Sequence, residues 1–172
     1  MTRRTPLSTV GTGRRRIGVL GWALRGAAAG AAGTTALNAV TYLDMAIRGR
    51  PTSSTPERTV EQLAGKAHVP LGEGEQRENR VQGLGPLAGL AAGVGMGVAV
   101  GLLRAAGLRS RPALGTGLIT AGVMAAANGP MVALGITDPR TWSAVDWISD
   151  IVPHLAYGAV LKATMDALDP VT

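Results

Sequence analysis

Residues 83–103 read GLGPLAGLAAGVGMGVAVGLL, 21 positions without a charge. Five glycines stand in this stretch at four-residue spacing: Gly85, Gly89, Gly93, Gly97 and Gly101. As a helix, the stretch is long enough to cross a hydrocarbon core of about 30 Å. Four-residue spacing sets the glycines in a slowly drifting stripe on one helix face. In lipid such a stripe is a contact surface, because small residues let two backbones approach closely. In water the same stretch makes a poor helix, since each glycine costs roughly 1 kcal/mol against alanine. The stretch therefore predicts a membrane-spanning helix. Its glycine face should pack on another helix, within the chain or across a homo-oligomer.

Working outward, the connection at residues 104–111 carries three arginines and no acid, and residues 112–137 are again free of charge. Gly129-Pro130 inside that second stretch predicts a kink or break, and Asp138-Pro139 a turn. A last helix fits residues 143–168, with Trp142 and Trp147 placed for a membrane-interface belt, as Trp22 is for the first span. Upstream, residues 26–43 are uncharged and carry Gly26, Gly30 and Gly33 as further small contacts. Between the first and second spans lies a polar connection that holds all five glutamates of the chain. Within it, Thr55 is placed to cap a helix with Pro56 at its first position. Val60, Leu63, Ala64 and Ala67 repeat at helical spacing, opposite Glu57, Arg58, Glu61 and Lys66. This is a short amphipathic helix for the bundle end or membrane surface, ended by Pro70. Residues 73–80 read as the first turns of the second span's helix.

The fold class that follows is all-α: a four-span transmembrane helical bundle with a short amphipathic helix in the first external loop. Its single membrane domain covers residues 17–168, with spans at about 26–46, 83–103, 113–136 and 143–166 and an external loop at 48–82. Residues 1–16, with five arginines and no acid, form a basic cytoplasmic arm. The alternative for the N-terminal region is a signal peptide, with a basic start, a short apolar run and small residues near 27–32; Arg25 interrupts that apolar region.

Composition narrows the function classes. The chain has 172 residues, a net charge of +6 and no cysteine. The last point excludes disulfides, thiolate metal sites and a cysteine nucleophile. Nucleic acid is not the partner expected from the positive charge, because the basic residues cluster at the ends of apolar runs, where membrane topology places them. The lipid bilayer is the expected partner. With the N-terminus inside, ten of the 17 basic residues fall on the cytoplasmic side, and the loop at 104–111 is purely basic. The expectation is a multi-pass protein of the bacterial plasma membrane with both termini cytoplasmic. The bacterial assignment rests on an excess of arginine over lysine, with much alanine and glycine.

Chemistry, if any, belongs to the polar groups inside the spans. Asp146, Asp150, His154, Lys162 and Asp166 follow one another at four-residue spacing, with Gly158 filling the remaining place. Such a ladder lies along one side of the last helix. Intramembrane ionisable groups face a bundle interior or a watery cavity. One reading is a proton or ion path through Asp150 and His154; the other is a polar seam in which the two pair and fix the helix against its neighbours. On the first helix Asn38, with Thr41, suits interhelical hydrogen bonding, and Asp44 is placed to pair with Arg48. Asn128 needs a partner in lipid. No catalytic, cofactor or metal site is expected: the two histidines have no second ligand at metal spacing. There is no nucleophile elbow or P-loop, and the glycine series lacks the preceding strand of a dinucleotide fingerprint.

Three short segments resemble the YagU-like family of small bacterial inner-membrane proteins. They are RGRPTSSTP at residues 48–56, MVALGITDP at 131–139 and DIVPHLAYG at 150–158. The last has Pro153 where that family tends to have glycine. The resemblance covers roughly residues 15–168 and implies location and fold more than activity. It implies a non-enzymatic structural or accessory role in envelope or acid-stress physiology. The alternative is a small transporter or proton channel that uses the polar stripe on the fourth spanning helix.

Overall fold

Alanine, the best helix former, surrounds the glycines of residues 26–36, and the chain there is helical despite them. In the computed structural model, which describes residues 17–170, the first helix α1 runs Val19–Arg48. It starts ahead of the expected span and encloses Arg25, whose Nη1 donates to the Gly21 carbonyl at 3.3 Å while its head lies over the Trp22 ring. The basic arm expected at residues 1–16 lies outside the described residues. Gly49 ends α1 at φ 60°, a left-handed conformation that glycine takes without a β-carbon clash.

The connection then forms α2 (Thr55–Lys66), the amphipathic helix expected there. Ser54 rather than Thr55 occupies the cap position; Thr55 opens the helix and donates its N–H to Ser53 Oγ at 3.2 Å. α2 packs against the early turns of α3 (Gly74–Ala105), joined by an ion pair from Arg77 to Glu61 at 2.8 Å. The charged residues 74–80 are indeed the start of the second long helix.

α4 spans Pro112–Ala133 and α5 spans Ala144–Ala167, with a 3-10 turn at Pro139–Thr141 between them. Of the kink or break expected at Gly129-Pro130, the break does not occur; α4 continues to Ala133. Proline there removes one N–H near the end of the helix, where few intrahelical bonds remain to be lost. Gly135, at φ 69°, turns the chain instead. α5 likewise continues through Pro153.

Among the described residues the structure is all-helical. The four long helices form a ring in which each packs on two neighbours: α1 on α3 and α5, and α4 on α5 and, more lightly, on α3. Trp22, Ala29, Ile119, Val123, Tyr157, Leu161 and Met165 make the buried apolar cluster. α1 and α3 pack through backbone. A β-carbon built on Gly30 would lie 2.6 Å from the Gly93 carbonyl oxygen, and one built on Gly97 would lie 2.6 Å from the Gly30 Cα. Both are closer than real β-carbons approach.

Large aliphatic side chains are sorted the other way. Leu84, Leu87, Leu90, Leu102 and Leu103 of α3, Leu114 and Leu118 of α4, and Ile148, Val152 and Leu155 of α5 are exposed. Two helices, α3 and α4, are long and apolar enough to cross a membrane, and only 17% of the apolar window in each is buried inside the protein. α1 and α5, expected as the other two spans, are less apolar and do not reach that level. α1 is diluted by alanine and glycine, and α5 carries the charged ladder.

Candidate functional site

Polar groups gather at three levels of the bundle. At one end, where α3 and α5 finish, two carboxylates and three cations form a cluster in which Arg104, Lys162 and Asp169 are buried. Arg104 is 5% exposed. It bridges two carboxylates of α5 and its tail, donating to Asp166 through Nη2 and to Asp169 through Nη1, the latter at 2.8 Å. The Asp169 side chain is fully buried and also accepts from Arg109 Nε at 3.0 Å. Lys162, itself buried, reaches Asp166 one turn on. Charges are taken out of water only when paired and hydrogen-bonded, and here the pairing ties the end of α3, the α3–α4 connection and the end of α5 together. Two of the three arginines in the supposedly uncompensated basic loop are thus paired with acid.

The opposite end has a more open cluster. Asp44 accepts from Arg48 at 3.2 Å, the pair expected from their spacing, and from Arg50 Nε at 2.6 Å. Arg48 Nη1 also donates to Ser149 Oγ of α5 at 2.7 Å. Asp146 is exposed and serves the start of α5: it accepts from the Ser143 N–H at 2.9 Å, while Ser143 Oγ accepts from the Asp146 N–H. This reciprocal capping box satisfies two backbone donors. In the nearby connection, Arg140 beside Asp138 holds that carboxyl below the usual carboxylate range, chiefly through a side-chain hydrogen bond.

Between the ends lies the α4/α5 seam. Asn128 Nδ2 donates to Asp150 Oδ2 at 2.9 Å, so the amide of α4 finds its partner on α5. His154 Nδ1 lies 2.7 Å from the Asp150 carbonyl oxygen and 3.4 Å from Asp150 Oδ1. A carbonyl oxygen only accepts, so Nδ1 carries the hydrogen and Nε2 keeps its lone pair when the ring is neutral. Asp150 and His154 are both largely buried, at 19% and 12% side-chain exposure. Both turn toward the bundle rather than outward.

Other sequence-derived positions sort differently. Asn38 is exposed on α1 and is not brought to Asp150 or His154, which corrects its expected place in an interhelical contact; α1 turns its glycine face inward, and Asn38 falls off that face. Of the glycine stripe, Gly93, Gly97 and Gly101 lie against α1, and Gly85 against Pro56 and Glu57 of α2. Gly89 is exposed, with no atom within 4 Å of the place a β-carbon would take, so the stripe is interrupted between the two contacts. It is interrupted because α3 meets two different helices along its length.

Two features lay outside the sequence reading. Tyr157 of α5 is completely buried; its ring fills the space beside Gly33 and its hydroxyl donates to the Gly93 carbonyl at 2.6 Å. The pair Arg104–Asp169 joins residues far apart in sequence. Its one available signal was that charges closing separate apolar runs meet when the helices alternate in direction.

Among the described residues no group of three His, Cys, Asp or Glu side chains is arranged to hold a metal ion. Two open surface depressions lie on α2 and on the early turns of α3, lined by Glu61, Gln62, Lys66 and His68 and by Glu75, Gln76, Asn79 and Arg80. Comparison with known proteins found no matching family model, no matching curated protein and no matching solved structure.

Proposed function

We propose that this chain is an integral, non-enzymatic protein of the bacterial plasma membrane, with α1, α3, α4 and α5 as four spans and both termini cytoplasmic. Its role on this reading is structural or accessory. The observation that carries the proposal is the reversal of ordinary sorting. Around one small buried apolar cluster, glycine, threonine and paired charges occupy much of the helix contact, while rows of leucine, isoleucine and valine face outward. Soluble proteins keep contiguous exposed apolar patches to a few hundred Å²; lipid removes that penalty and makes close small-residue contacts the means of association. The resemblance of residues 48–56, 131–139 and 150–158 to YagU-like proteins supports a role in envelope or acid-stress physiology. Such a bundle holds its polar groups where they lock helices together, which suits a rigid accessory subunit.

Membrane extraction tests the proposal. The chain should stay in the membrane fraction after alkaline carbonate or urea washing and float with lipid vesicles on a density gradient. Release into the supernatant by either wash would contradict it.

A further inference from the structure

The α4/α5 contact has a regular antiparallel register. Asn128 meets Asp150, Thr120 meets Gly158, and Gly115 meets Lys162. Stepping back along α4 thus matches stepping forward along α5, and the ladder Asp150, His154, Gly158, Lys162, Asp166 runs along the contact. Read on α5 alone, the ladder has a hole at Gly158. The structure fills that hole from the other helix. Thr120 Oγ1 occupies the space that a side chain on Gly158 would take. Thr120 is 8% exposed, and its hydroxyl is fully buried with no hydrogen-bond partner among the described residues. A buried hydroxyl without a partner costs free energy, and threonine in a helix ordinarily satisfies itself on the carbonyl one turn back, as Thr34 does with Gly30 at 2.9 Å.

We propose that the α4/α5 seam is a proton path across the bundle, with His154 and Thr120 as its inner stations and water as the carrier between them. The sixteen steps from Asp150 to Asp166 rise about 24 Å at about 1.5 Å each, most of a hydrocarbon core. A proton from water on the Asp150 side binds the lone pair of His154 Nε2. The imidazolium keeps its Nδ1 hydrogen on the Asp150 carbonyl and has the Asp150 carboxylate beside it. The Nε2 proton then passes to a water, and the water gives a proton to the Thr120 hydroxyl as that hydroxyl releases its own to a second water. Water at the end where α5 finishes takes the proton from there to bulk, past the carboxylate of Asp166, which stays ionised between Arg104 and Lys162. Only O–H and N–H bonds form and break, and each station ends as it began. The charged groups near the path, at the end where α5 starts, are Asp44 and Arg48 of α1 and Arg50 just beyond it. At the other end they are Arg104, Arg109 and Asp169, with Lys162 on α5 itself.

The inference rests on the membrane reading, and its test separates the two. The full-length chain is reconstituted into phospholipid vesicles, and flotation first establishes insertion. A potassium gradient with valinomycin then drives protons inward, and a trapped pH dye records the flux. The wild type should acidify the vesicles faster than protein-free vesicles. Thr120→Val, which keeps shape and loses the hydroxyl, should fall to background with an unchanged melting temperature; Thr120→Ser should retain the flux, and His154→Gln should lose it. If Thr120→Val does not fold, Thr120→Ala takes its place. A chain that fails to insert overturns both readings. An inserted wild type at background, or a folded Thr120→Val with wild-type flux, overturns the proton path alone.

Discussion

The α1/α3 contact and the α4/α5 seam use opposite means to hold two helices together. At the first, side chains have been removed: Gly26 and Gly30 face Gly93, Gly97 and Gly101, and backbone touches backbone. At the second, side chains are kept but are polar: Asn128 on Asp150, Thr120 over Gly158, and Lys162 beside Gly115. The first contact has no room for anything, water included. The second leaves a buried hydroxyl unpartnered and a histidine nitrogen uncommitted. The lesson is that one bundle can carry a rigid seam and a polar, adaptable one side by side. The tight contact and the ion cluster should tolerate change least, and any chemistry falls to the second contact.

The sharpest way to break this contrast is to put bulk into the tight seam. Gly97→Leu, or even Gly97→Ala, must push a carbon into the Gly30 backbone. Overpacking a core typically costs about 1–3 kcal/mol, and with rigid backbone as the neighbour the cost should sit at the top of that range or above. The melting temperature in mild detergent should fall steeply or the folded state be lost. Next in size is the ion cluster. Asp169→Asn leaves Arg104 buried with its pairing halved. Stranding a buried charge costs roughly 3–5 kcal/mol when its partner is removed altogether, so a loss of up to about that size is expected in chemical denaturation, with Asp166 keeping the lower end in reach. The polar seam should be far more forgiving. The double change Asp150→Asn with His154→Gln keeps hydrogen-bonding groups in place and should cost less than about 1.5 kcal/mol, the range of a typical single hydrogen bond. Smallest of all is Gly89→Leu, which meets nothing within the chain and should leave the melting temperature near the wild-type value. A large loss at Gly89 would show that a second molecule covers that face.

The same two seams differ in how far the chain alone revealed them. The glycine period is written on one helix, so Gly93, Gly97 and Gly101 could be read as a contact face without knowing the partner. Gly85 and Gly89 could not be told apart by spacing, because their fates depend on where α2 lies. The polar seam was half legible. The ladder on α5 showed Asp150 and His154, but Thr120 looked like any threonine in an apolar run, and Gly158 looked like a missing rung. Only the antiparallel register brings the two together. The ion cluster was the least legible: Arg104 read as a topology signal, and Asp169 lay beyond the last predicted span. Asn38 was misplaced for a related reason. Helical spacing puts it on a face with Thr41, but which face points inward is decided by the glycines several turns earlier. Helix limits came out well at charged or proline-marked ends, and less well at Val19, where Arg25 masked the continuity of α1.

The central claim is that the four long helices cross a membrane, with the Arg104–Asp169 end and the α2 end on opposite sides. A chain without cysteine offers a direct measurement: single-cysteine variants treated with a membrane-impermeant maleimide in intact cells, then after lysis. Ser53→Cys lies in the connection before α2, and Leu108→Cys in the connection between α3 and α4; both positions are exposed. The account predicts that Ser53→Cys is labelled in intact cells and Leu108→Cys only after the membrane is opened. Labelling of both positions from the same side would contradict it.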